Sequence, residues 1–148
     1  MERIEKLANL YVATLRSIYL VLQFDHWTTK GLGFYGNHLL FERLYKQSQE
    51  DADLAAEKFI GIFGENAVDY KMQQELIGKV LGKYADSAME KLQQALAVEK
   101  DFVAFSKQVY DELDKDGVLS LGLDDMLCVI SSNHEGSIYL LQQAIEQE

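Results

Sequence analysis

The chain contains no proline and a single cysteine, Cys128. A lone thiol has no internal disulfide partner and no second thiol with which to share a zinc ion, so a disulfide framework and a cysteine-based metal site are both excluded. Basic residues are also scarce: 14 Lys and Arg stand against 24 Asp and Glu, for a formal net charge of -10. Such a field repels phosphate backbones and draws cations, so cationic partners are favoured over DNA. No charged leader with an apolar core opens the chain, and no apolar run approaches the roughly 20 residues that span a bilayer. A cytoplasmic protein with no membrane partner is the expectation.

What is present reads as helix. Of 148 residues, 48% are hydrophobic, enough to bury one core, so residues 1–148 are expected to form a single domain. Between the glycines the chain is rich in Leu, Ala, Glu, Lys and Gln, which lose least on entering a helix. An all-α class follows. Apolar residues at steps of three and four from Ile4 through Leu7, Tyr11, Leu15, Ile18 and Leu22 predict a first helix running to about Thr28. Gly31, Gly33 and Gly36 then mark a turn over Lys30 to Asn37. A second helix carries Leu44, Ala52, Ala55, Phe59 and Phe63 and stops at Gly64. A short helix is predicted from about Asp69 to Ile77, bounded by Gly78 and Gly82. A third long helix is expected from about Asp86, an N-cap, to the break at Gly117, and a fourth from near Leu123. Four long helices with one extended connection between the second and third describe a ferritin-like four-helix bundle with a short helix in its crossover.

The candidate chemistry lies on the second helix. His38 and Glu42 are four residues apart, as are Asp53 and Glu57, so each pair projects from one helix face and can converge on an ion. At about 100° per residue, the step from Glu42 to Asp53 returns to within roughly 20° of the same direction, which aligns all four along one stripe. Along the axis, however, Glu42 and Asp53 are separated by roughly 16 Å, too far for one ion. Two copies of this helix paired antiparallel about a two-fold axis would bring the two half-sites together twice.

The longer pattern is Asp25-His26-Trp27-Thr28-Thr29-Lys30-Gly31, then Phe34-Tyr35-Gly36-Asn37-His38 with Phe41-Glu42, then Asp53-Leu54-Ala55-Ala56-Glu57. It resembles the Dps mini-ferritins, the DNA-binding proteins from starved cells, in residue types and spacing. The resemblance implies the metal-binding, catalytic set His26, His38, Glu42, Asp53 and Glu57, with Trp27 close to the iron. Glu42 stands where the family usually has Asp, which makes that ligand one carbon longer. Dimers would build a hollow dodecamer that takes up Fe(II), oxidises it at interface sites as a ferroxidase, preferentially with hydrogen peroxide, and stores the Fe(III) mineral against oxidative stress. Imidazole suits the ferrous substrate and hard carboxylate oxygens the ferric product. The resemblance also implies an acidic entry path, for which Asp116, Asp124 and Asp125 are the candidates and Asp125 the best placed; Asp124 and Asp125 also suit a helix N-terminus, the reading that fits Asp124 better. His134 reads as a structural histidine.

The same residues admit three rival readings. A di-iron site within one bundle uses Glu-x-x-His motifs, but Gln23, Tyr35 and Ser131 precede the three histidines by three residues. Glu112 to Gly117 imitates the start of a calcium-binding EF-hand loop, yet the twelfth position is Leu123 instead of Glu. A DNA-coating protein or a cage with lapsed oxidase activity is the remaining alternative. Against DNA coating, the N-terminus Met1-Glu2-Arg3-Ile4-Glu5-Lys6 is balanced in charge and the C-terminus Glu146-Gln147-Glu148 is acidic.

Overall fold

A computed structural model describes residues 1–85 and 87–146. Five α-helices account for most of it: α1 (Glu2–Thr28), α2 (Phe34–Phe63), α3 (Tyr70–Ala85), α4 (Lys91–Lys115) and α5 (Leu121–Glu146), with one 3-10 turn at Glu65–Ala67. Among the described residues there is no strand. The helices α1, α2, α4 and α5 form the four-helix bundle, with α1 packed on α2 and α4, and α5 on α4 and α2. This is the expected all-α ferritin-like arrangement.

The apolar stripes explain the packing. Ile4, Ala8, Tyr11, Leu15, Ile18 and Leu22 of α1 are buried and face Phe41, Leu44, Ala55 and Phe59 of α2 and Leu92, Val98, Phe102 and Val109 of α4. At the centre the Tyr11 ring meets Phe59 edge-on at 5.7 Å and Phe102 at 5.4 Å, geometries that suit aromatic quadrupoles. By length and composition α1 contains a window apolar enough to cross a membrane, contrary to the expectation above, and half of that window is buried inside the bundle. Bundle packing accounts for its apolar character.

Several boundaries differ from the sequence expectation. Helix α2 begins at Phe34, so the first turn is shorter than Lys30 to Asn37 and Gly36 lies within the helix. Only Gly31 and Gly33 of that turn take positive φ, 89° and 79°. Helix α3 runs to Ala85 and contains both Gly78 and Gly82. A glycine inside a helix costs only about 1 kcal/mol relative to alanine, which tertiary contacts readily offset. Here those contacts begin with Asp69, whose carboxylate accepts from the Met72 N–H at 2.8 Å and caps α3. Buried Asn9 then accepts from the Asp69 N–H at 2.7 Å and donates to the Asn66 carbonyl at 2.9 Å, while Gln73 donates to the Asn9 carbonyl at 2.9 Å. The crossover is thereby fastened to α1. Helix α4 starts at Lys91, with Glu90 as its N-cap, leaving Met89 outside it; the expected cap, Asp86, lies outside the described residues.

Candidate metal centre

His26 ends α1 and His38 lies in the first turns of α2, on opposite sides of the Thr29–Gly33 turn. Their rings stack at 3.8 Å between centroids. His26 Nδ1–H donates to the His38 carbonyl at 2.7 Å, and His38 Nδ1–H donates to the His26 carbonyl at 2.8 Å. A carbonyl can only accept, so both bonds place the proton on Nδ1 and, in the neutral ring, the lone pair on Nε2. Phe34 stacks on His38 at 5.1 Å and Tyr45 meets His26 edge-on at 5.4 Å, fixing the ring planes. Two oriented imidazoles, each held through the other nitrogen, form the kind of supported donor pair that metal sites use.

Glu42 is one helical turn beyond His38 and partly exposed. Its Oε1 accepts from Lys46 Nζ at 2.7 Å. That hydrogen bond and the charge of Lys46, with smaller contributions from His26 and His38, hold the carboxyl below the usual range. Asp53 and Glu57 are exposed farther along α2. Among the described residues, no three His, Cys, Asp or Glu side chains of one chain are arranged to hold a metal ion. The chain thus brings His26 and His38 together, sets Glu42 one helical turn beyond His38 without closing a three-ligand group, and leaves Asp53 and Glu57 farther along α2. Trp27, next to His26 in the chain, is 66% exposed, and Phe24 of α1 and Tyr35 and Leu39 of α2 are also exposed.

A second polar cluster lies inside the bundle. His134 of α5 is fully buried between Glu99 of α4, whose Oε2 accepts from Nδ1 at 2.5 Å, and Asp51 of α2, whose Oδ2 lies 3.0 Å from Nε2. The latter contact is charge proximity outside hydrogen-bond geometry. Gln47 and Asn133 donate to the other Asp51 oxygen at 3.0 and 3.1 Å. Burial pulls the His134 pKa down, but the Glu99 charge and the Asp51 and Glu99 contacts override it and push it up to about 9. Because the two carboxylates occupy opposite ring nitrogens, this is a buried ion bridge and not a set of converging ligands. His134 is therefore structural, as read from the sequence. The signal for its partners was available: Asp51 falls on the buried stripe Leu44-Ser48-Asp51-Ala55-Phe59, and Glu99 beside buried Val98 and Phe102.

The remaining candidates are peripheral. Asp125 is exposed near the start of α5. Asp124 accepts from the Tyr110 hydroxyl at 3.3 Å and from Cys128 Sγ at 3.2 Å, and that bond raises the thiol's pKa. Glu112 and Asp116 of the apparent EF-hand segment are both paired with Arg3.

The Ferritin-like domain family matches residues 4–147. The chain belongs to the ferritin-like family. It is 26% identical over 142 residues to General stress protein 20U of Bacillus subtilis (strain 168), spanning 95% of this chain and 96% of that protein. Its fold is that of the Dps mini-ferritins. The Dps protein of Bacillus brevis superposes with a TM-score of 0.81 at 24% identity, covering 97% of this chain and 95% of the other. Dps from Thermosynechococcus elongatus gives 0.80 at 20% identity, covering 97% and 90%.

Proposed function

We propose that this ferritin-like protein is an iron-storing ferroxidase of the Dps type, its sites formed where α2 helices of two copies meet. The observation that carries this reading is the reciprocal bonding of His26 and His38, which leaves the lone pair of each ring on Nε2, with Glu42 one turn beyond His38 on α2. Asp53 and Glu57 of a second copy supply the missing acids. Exposed apolar side chains of α1 and α2, Trp27 and Leu39 among them, provide surface for that pairing, and the dimers assemble into a hollow dodecamer.

Iron is substrate and cargo. His26 and His38 receive Fe(II) through Nε2, while Glu42, Asp53 and Glu57 offer hard oxygen donors that favour Fe(III). Hydrogen peroxide accepts one electron from each of two Fe(II) ions and, with two protons, leaves as two waters. In this reading Trp27 takes stray oxidising equivalents, and Asp125 leads cations toward the interior. The net charge of -10 favours iron over DNA as cargo. Ferrous titration with peroxide, followed by ferric oxo absorbance, tests the assignment on His38→Ala and Asp53→Ala. Both variants should oxidise iron far more slowly than wild type; equal rates would refute it.

A further inference from the structure

The pair Lys46–Glu42 bears on how this site behaves without metal. Lys46 donates to the carboxylate of a candidate ligand at 2.7 Å, and it lies on the ligand stripe itself. At about 100° per residue it stands about 40° from Glu42, between the directions of Asp53 and Glu57. Arg43 and Lys58 of the same helix point about 100° and 160° away from Glu42. In the antiparallel pairing that sets Glu42 opposite Asp53 of a second copy, Lys46 falls opposite Gln49, one turn from that Asp53. Each shared site then gathers three carboxylates and two imidazoles. Without a cation, like charges at such distances oppose the association of the two copies.

We propose that the Lys46 ammonium is the stand-in cation of the site: it neutralises the carboxylates of the metal-free interface and is displaced from Glu42 when a divalent ion enters. This rests on the shared-site reading above. It makes Lys46 a positioning and affinity-setting residue with two effects of opposite sign. Lys46 supports assembly in the absence of metal and competes with metal once assembly has occurred. An ordinary i,i+4 surface pair does neither, since it contributes little beyond its own helix.

The test uses the full chain, Co(II) as probe, and the variants Lys46→Gln and Lys46→Arg. Calorimetry and the visible Co(II) spectrum report binding, and sedimentation reports assembly. Lys46→Gln should bind Co(II) about tenfold more tightly, because a unit charge near a divalent ion has been removed. Its metal-free assembly should dissociate at dilutions that wild type withstands, and either Co(II) or high salt should restore it. Lys46→Arg should behave as wild type. Unchanged or weaker Co(II) binding by Lys46→Gln, or metal-free assembly as robust as wild type, would overturn the proposal. His38→Ala and Asp53→Ala separate the two levels of failure. If they abolish Co(II) binding while Lys46→Gln changes nothing, the role of Lys46 fails alone; if they leave binding intact, the shared site fails and Lys46 with it.

Discussion

His26 and His38 hold each other: each ring donates its Nδ1 proton to the other's backbone carbonyl, at 2.7 and 2.8 Å. The end of α1 and the start of α2 are thus joined by the same side chains whose Nε2 atoms are left to bind metal. Replacing either histidine by alanine removes one bond directly and the stacking partner of the other ring. A neutral hydrogen bond contributes about 0.5–1.5 kcal/mol, so His26→Ala and His38→Ala should each lower stability by about that amount. Loss of metal binding should be far larger. Urea midpoints alongside Co(II) titrations separate the two effects.

The buried bridge of His134 predicts a pH dependence. Folding raises its pKa from 6.5 to about 9, so the folded state holds this proton more tightly than the unfolded chain does. The stabilisation is fully present below about pH 6.5 and is lost as pH rises through about 9. The difference in urea midpoint between wild type and His134→Gln should therefore shrink from pH 6 to pH 10. His134→Ala leaves two buried carboxylates without their cation and should cost about 3–5 kcal/mol near neutrality.

Asp25 predicts a dependence that ends at lower pH. Burial, partly opposed by the Lys91 charge, pushes its pKa up to about 7, and Oδ2 has no hydrogen-bond partner. The folded state favours the protonated acid, so stability falls as pH climbs from about 4 to about 7. Asp25→Asn should match wild type near pH 4 and exceed it at pH 8, as read from thermal midpoints.

Glycine substitutions should divide by backbone geometry. Gly64 ends α2 at φ 97°, ψ 172°, a region essentially closed to side chains, so Gly64→Ala should cost about 1–3 kcal/mol. Gly78 lies within α3, where an added Cβ meets nothing within 4 Å. Gly78→Ala should stabilise by about 0.5–1 kcal/mol. Denaturant midpoints measure both.

The long helices were legible because Ile4 to Leu22 and Leu44 to Phe63 repeat apolar residues at helical spacing over many turns, a signal that local breakers do not erase. Gly36, Gly78 and Gly82 misled the boundaries because a glycine reports only its local cost, whereas the Asn9–Gln73 network that extends α3 joins residues 64 positions apart. Within the candidate site, the four-residue spacing picked out the two candidate pairs on α2, and the distance between them along the helix axis prompted the reading of a site shared by two copies. The reciprocal His26–His38 bonds were not legible, since they depend on how tightly the Gly31–Gly33 turn brings α1 to α2. Nor was the role of Lys46, which in sequence resembles any i,i+4 surface pair.

The central claim, that each site is shared between two copies, is tested most directly by mixing. One variant carries His26→Ala with His38→Ala, the other Asp53→Ala with Glu57→Ala, and the two are co-refolded in equal amounts. Each alone should lack peroxide-dependent Fe(II) oxidation. In a mixed dimer the intact histidines of one copy meet the intact acids of the other at one of two sites, so random pairing should restore about a quarter of the wild-type rate. No recovery in a mixture shown by mass to contain mixed dimers would contradict the shared site.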